Sequence, residues 1–146
     1  MRDLVIFDLD DTLALTEHRA HHLLTDPVDW SAYVADCHKD APNEVLLAVF
    51  YDHFVASRDM WIVTARSDEV REQTEDWLYN NGCYYNRLIM RAAGDERSGA
   101  DVKLRWLHDG TIPHERVLCA YDNESQVIDL YRALGITCFH VLSGNR

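Results

Sequence analysis

Two hydrophobic regimes alternate along the chain. Leu4-Val5-Ile6-Phe7, Met60-Trp61-Ile62-Val63, Leu88-Ile89-Met90, Val117-Leu118-Cys119-Ala120 and the run from Ile136 to Leu142 are largely or wholly apolar. Short unbroken runs of this kind predict strands buried on both faces. Between them, apolar positions recur every three or four residues. From Asn43, the residues Leu46, Leu47, Val49, Phe50 and Phe54 mark one helix face. Ser67 is the expected N-cap of a second helix, with Val70, Thr74, Trp77 and Leu78 inward and Gly82 at its C-terminal cap. Ser98-Gly99-Ala100-Asp101 has the form of a capping box ahead of Val102, Trp106 and Leu107. A last helix is expected from about Asn123, with Val127, Ile128, Tyr131 and Leu134 inward and Gly135 ending it.

Apolar strands alternating with amphipathic helices imply an α/β fold in three layers, Rossmann-like, with a parallel sheet covered on both faces. Residues 16–41 break the rhythm: this mostly helical stretch is too long for an ordinary βα loop. It predicts a small helical cap over the carboxyl edge of the sheet, where open α/β sheets bind their ligands. Trp30 and Tyr33 are expected to be buried beneath that cap, stacking on a nucleobase being the alternative.

Composition narrows the reading. The chain has 146 residues with no repeat, low-complexity tract or Pro/Gly-rich linker, so 1–146 reads as one domain. No apolar run approaches the roughly 20 residues of a membrane span. Asp8, Asp10 and Asp11 follow the first apolar run too soon for a signal peptide, and a cytoplasmic protein without a membrane partner is expected. Cys37, Cys83, Cys119 and Cys138 form no C-x-x-C pair and read as buried, reduced thiols. Twenty-five acidic residues against 14 Lys and Arg leave a net charge of −11, which opposes a broad grip on nucleic acid. A local basic pocket, or a hard divalent cation among carboxylates, is compatible with it.

The chemistry gathers at the strand ends. The first strand ends in Asp8-Leu9-Asp10-Asp11-Thr12, the second in Thr64-Ala65-Arg66 and the fourth in Tyr121-Asp122-Asn123, while Lys103 lies early in the helix after the third. Carboxylates, a hydroxyl and an ammonium delivered to one edge suit a phosphoryl group held against Mg²⁺. One carboxylate attacks phosphorus and another gives its proton to the leaving oxygen. Thr64 and Lys103 would bind the phosphoryl oxygens, and Asp122 would complete the metal ligands.

VIFDLDDTL, WIVTAR, Lys103 and AYDNESQVIDLYR resemble the four motifs of the haloacid dehalogenase superfamily of phosphotransferases. That resemblance implies Asp8 as the nucleophile that becomes an aspartyl-phosphate. Asp10 would be the general acid and base, and would also offer its backbone carbonyl to Mg²⁺. Over nearly the whole chain, MRAAGDERSGADVKLRWL and DLYRALGITCFHVLSGNR are similar to the 3′-phosphatase domain of phage-type polynucleotide kinase-phosphatases. The implied substrate is a 3′-phosphorylated DNA or RNA end, or a nucleotide, with Arg19, Arg66 and Arg97 as substrate-binding residues. Arg91 matches a further arginine of the loop before Lys103. The sequence departs from the family where Asn123 replaces a second Asp beside the metal, and where Gly99 and Ala100 replace an acidic pair. An amide at 123 can still ligate Mg²⁺ or hold one of its waters, but it removes a charge. No G-x-x-x-x-G-K-[ST] motif occurs, so kinase activity would belong to a separate chain, and a separate kinase or ligase is a candidate partner.

Rival readings are a nucleotidase acting on free nucleoside monophosphates and a non-catalytic phosphate-binding relative. A receiver domain does not fit, because here the metal Asp follows the Lys. His18 and His22 stand four apart, as zinc ligands can, yet without a third ligand they read as a polar helix face, or as cations beside a phosphate. The Asp36–Asp40 region and the stretch Asp68–Asp76 read as solvated acidic faces.

Overall fold

β1 (Leu4–Phe7) is apolar and buried at all of its positions because it lies at the centre of a sheet covered on both sides. A computed structural model describes residues 1–142. In chain order the elements after β1 are β2 (Ala14–Leu15), α1 (Trp30–Ala35), β3 (Ala41–Pro42), α2 (Glu44–Val55), β4 (Asp59–Ser67) and α3 (Arg71–Asn80). They continue with β5 (Arg87–Arg91), α4 (Gly99–His108), β6 (Val117–Asp122), α5 (Ser125–Ala133) and β7 (Thr137–His140). The main sheet has the order β5-β4-β1-β6-β7, parallel throughout.

Successive residues of each central strand face opposite layers. Val5, Phe7, Met60, Ile62, Leu88 and Met90 pack with Phe50, Trp77 and Leu78 of α2 and α3. Leu4, Ile6, Trp61, Val63 and Ile89 pack with Leu107, Val127, Ile128 and Tyr131 of α4 and α5. The predicted three-layer α/β fold is therefore present, with one core on each side of the sheet. The chain reaches β4 on one flank of β1 and later returns to β6 on the other. The carboxyl end of β1 is thus the point where the winding reverses, which is where such sheets open a crevice.

Several details differ from the sequence pattern. Strand β4 continues to Ser67, whose hydroxyl accepts a bond from the Glu69 amide and opens a short 3₁₀ turn before α3. α5 starts at Ser125, after Asn123. Phe54 and Leu134 are exposed, at 43% and 41%, because each falls on the last turn of the helical period, beyond the reach of the sheet. Gly135 ends α5 in the left-handed region, at φ +75°. All four cysteines are buried and free. Among the described residues, no helix is long and apolar enough to cross a membrane.

The insertion at 16–41 leaves the sheet through a narrow neck. Asp11, in a left-handed turn at φ 59°, redirects the chain into β2, which pairs antiparallel with β3 on the way back. Between them lie 3₁₀ turns at Glu17–Leu24 and Asp36–Lys39, with α1 between these turns. None of the α1 residues is buried. The cap is therefore held by polar contacts more than by an apolar core of its own.

Helix α2 docks through Phe50, which is 1% exposed and lies 5.2 Å from the Phe7 ring. Phe50→Ala is expected to cost about 3–5 kcal/mol in urea denaturation. Phe54→Ala, one turn on, should cost less than about 1 kcal/mol. Equal losses at the two positions would contradict this placement of α2.

Candidate active site

β1 runs straight into Asp8, whose amide donates to the Tyr121 carbonyl of β6 at 2.9 Å. That last backbone bond aims the Asp8 carboxylate over the sheet rim. Its Oδ1 accepts from Lys103 Nζ at 2.9 Å, and its Oδ2 from the Thr12 hydroxyl at 3.2 Å. Lys103 also donates to Asp122 Oδ2 at 2.8 Å, while the Glu124 amide occupies Asp122 Oδ1 at 3.0 Å. Asp8, Lys103 and Asp122 are all buried, and their formal charges sum to −1. Burial, then the neighbouring Asp122, pushes the Asp8 carboxyl above its ordinary range against the pull of Lys103. Burial would discharge Lys103, but Asp122 and Asp8 hold it protonated. Gly99 lets the start of α4 come this close: a Cβ there would meet Ala65 Cβ at 3.2 Å.

A second cluster lies beside the first. Asp10 Oδ1 accepts from Arg19 Nη2 at 2.8 Å and from Arg66 Nη2 at 2.5 Å. Both guanidiniums also bond Asp40, Arg19 through Nε and Nη2 at 2.9 Å each and Arg66 through Nη2 at 3.2 Å. Two cations and two carboxylates thus form a neutral quartet, joined by His18 Nε2 at 2.6 Å from Asp40 Oδ1. Burial raises the Asp10 pKa, but Arg66 and Arg19 outweigh it and hold the carboxyl below its usual value. A phosphoryl dianion brought beside Asp10 would push that pKa back up, as a like charge does.

The sequence pattern places Asp40 on a solvated face, and the structure corrects it: Asp40 is 5% exposed. The signal is weak, because D-C-H-K-D is a charged stretch and the partners that bury Asp40 lie 21 and 26 positions away. The histidine pattern likewise resolves into ties inside the cap, His18 to Asp40 and His22 to Asp36 at 2.8 Å.

Over both clusters opens a cavity of about 500 Å³. Asp8, Asp10, Thr64 and Lys103 form its floor, and Arg91, Asn123, Trp30 and Tyr33 stand on its walls. Thr64 Oγ1 accepts the Arg66 amide at 3.0 Å, leaving its own O–H to donate. Arg19 and Arg66 lie behind Asp10, whereas Arg97 is exposed and paired with Asp95 at 2.6 Å. Arg91 donates to the carbonyls of Ala65, Asp95 and Arg97, which fixes its guanidinium without neutralising it. Trp30, expected beneath the cap, is instead 63% exposed, since α1 presents it to the cavity mouth.

Among the described residues, no group of three or more His, Cys, Asp or Glu side chains is arranged to hold a metal ion. A mixed donor set is present instead. The Asn123 amide reaches Asp8 Oδ2 at 3.0 Å and the Asp10 carbonyl at 3.2 Å. With its nitrogen inward it donates to both. An Asn123 oxygen turned inward would instead bring three oxygens together, a donor set that fits a hard cation.

Residues 2–145 match the family model of the polynucleotide kinase PNKP phosphatase domain. The chain belongs to that family. It is a hydrolase of the haloacid dehalogenase phosphatase type, a phosphomonoesterase class that typically uses Mg²⁺. Among solved structures it is similar to a chain of the Pnkp1/Rnl/Hen1 RNA repair complex, with 26% identity and a TM-score of 0.80. That match covers 98% of this chain and 43% of the other. A second Pnkp1/Rnl/Hen1 complex gives 26% identity and a TM-score of 0.81, covering 99% and 48%. This chain thus spans less than half of those relatives. CbbY from Rhodobacter sphaeroides in complex with phosphate shares the fold at 14% identity and a TM-score of 0.63, covering 94% and 85%.

Breaking a buried ion pair strands the remaining charge. Asp40→Asn would leave two buried guanidiniums facing one carboxylate and is expected to cost about 3–5 kcal/mol in chemical denaturation. A loss below about 1 kcal/mol would show that the quartet does not hold the cap.

Proposed function

We propose that this phosphatase removes 3′-phosphates from polynucleotide ends through an aspartyl-phosphate on Asp8. The observation that carries the reading is the buried Asp8 carboxylate at the end of β1, held by Lys103 and Thr12 and open to the cavity. Family membership supports the choice of substrate.

In this reading, one Asp8 oxygen bonds to phosphorus as the P–O3′ bond breaks. Asp10, protonated once the phosphoryl charge lies beside it, gives its proton to the departing O3′. Water then attacks the phosphorus of the aspartyl-phosphate, Asp10 takes a proton from it, and inorganic phosphate leaves with Asp8 regenerated. Lys103 has three N–H groups and uses two on Asp8 and Asp122, so the third serves a phosphoryl oxygen together with the Thr64 hydroxyl. Arg19 and Arg66 act from behind by orienting Asp10, and Arg91 supplies the open positive charge.

The floor cluster carries −1 and by itself repels a phosphate. We assign Mg²⁺ to Asp8, the Asp10 carbonyl and Asn123, where its charge would reverse that sign and offset the repulsion between nucleophile and dianion. Asp122, each of whose oxygens accepts one hydrogen bond and keeps a second lone pair, would complete the ligands from the neighbouring strand. The Pnkp1 relatives occur in an RNA repair complex. We therefore place this chain at RNA or DNA ends, beside kinase and ligase activities carried elsewhere.

A panel of 3′-phosphorylated, 5′-phosphorylated and 2′,3′-cyclic oligonucleotide ends, with free 3′- and 5′-mononucleotides, tests the substrate. Preference for 3′-phosphorylated ends is expected, and preference for mononucleotides would contradict the proposal. Asp8→Asn should abolish Mg²⁺-dependent hydrolysis of both oligonucleotide and aryl phosphate. Asn123→Asp should tighten Mg²⁺ about tenfold, a gain of roughly 1.4 kcal/mol from the added charge. Calorimetric titration reads this directly, and unchanged affinity would remove Asn123 from the metal site.

A further inference from the structure

We infer that Trp30, backed by Tyr33, is the stacking platform for the nucleobase next to the 3′-phosphate, a reading that rests on the function proposed above. Trp30 opens α1, a helix with no buried residue, so its indole serves no core. It is 63% exposed, yet it lines the same cavity as Asp8 and Lys103. A large exposed aromatic at the mouth of a reaction pocket offers apolar surface to whatever enters.

Its support is rigid. The Trp30 ring meets Tyr33 edge-on, with centroids 6.0 Å apart and planes at 89°. Tyr33 in turn lies under the Arg19 guanidinium, whose Cζ is 4.4 Å from the ring centroid. Arg19 is fixed by Asp10, Asp40 and the Tyr33 carbonyl. The platform is therefore tied to the same quartet that orients the general acid, and base stacking and proton transfer share one anchor.

Charge favours this mode over a phosphate grip. A chain of net charge −11 gains little from counterion release along a polymer. Stacking needs no charge and accepts any base, because every base has a π face. The cavity, at about 500 Å³, falls in the usual range of small-ligand sites. The chemistry it fits is one nucleoside joined to the phosphate under attack.

The test compares two 3′-phosphorylated oligonucleotides, one with a normal terminal base and one with an abasic terminal sugar. For the unmutated protein, kcat/KM should be higher with the base. Trp30→Ala should lower it about 5- to 150-fold on the base-bearing substrate, mainly through KM, and leave the abasic substrate unchanged. Trp30→Phe should restore most of the difference. Equal losses on both substrates would overturn the stacking role and leave a structural one. If the unmutated protein hydrolyses neither oligonucleotide but does hydrolyse an aryl phosphate, the 3′-end reading itself fails and the stacking inference with it.

Discussion

Two buried guanidiniums paired with the buried Asp40 and the part-buried Asp10 set the geometry on which the rest of the site depends. Removing an ion from water costs several kcal/mol, and only close pairing offsets it. Arg19 comes from the cap, Arg66 from the end of β4, Asp10 from the end of β1 and Asp40 from the returning neck. The four side chains thus arrive from four separate segments of the chain. Ion pairing therefore acts beside the apolar contacts of Val34 and Cys37 in joining the cap to the sheet.

The adjoining cluster has the opposite character. Asp8, Lys103 and Asp122 are left one charge short of neutrality, next to a quartet that is balanced. The imbalance falls on Asp8, the proposed nucleophile, where burial and Asp122 destabilise the carboxylate. The proposed mechanism depends on this asymmetry, because a nucleophile as well satisfied as Asp10 would have little reason to leave its partners. The molecule's large acidic excess thus has a local meaning at one rim and a global one elsewhere, where it discourages contact with a polyanion.

The sheet is legible in the sequence because parallel strands buried on both faces leave unbroken apolar runs, a pattern that surface elements do not produce. The helices are legible in their middles and not at their ends, as Phe54 and Leu134 show, since periodicity continues after the sheet has stopped. Asp8, Asp10, Thr64 and Asp122 can be grouped in advance because strand ends of one parallel sheet necessarily lie together, and Lys103 joins them from the start of the helix that follows β5. Asp40 and the orientation of Arg19 and Arg66 cannot. Whether a carboxylate in a charged stretch is solvated depends on guanidiniums more than twenty positions away, a contact that no local pattern encodes. Trp30 escapes for the complementary reason: a large aromatic is usually buried, and only the shape of the cap shows that this one is not.

The two-residue ribbon of β2 and β3 closes the excursion before it reaches the sheet. Everything between those strands is geometrically a graft, entering and leaving at one point. Provided that Arg19 and Asp40 remain at its two feet, the intervening sequence can be lengthened, shortened or rewritten without disturbing the strand ends that form the candidate site. Such an architecture separates the inheritance of a reaction from the inheritance of its substrate, and lets selection work on the second while the first stays fixed.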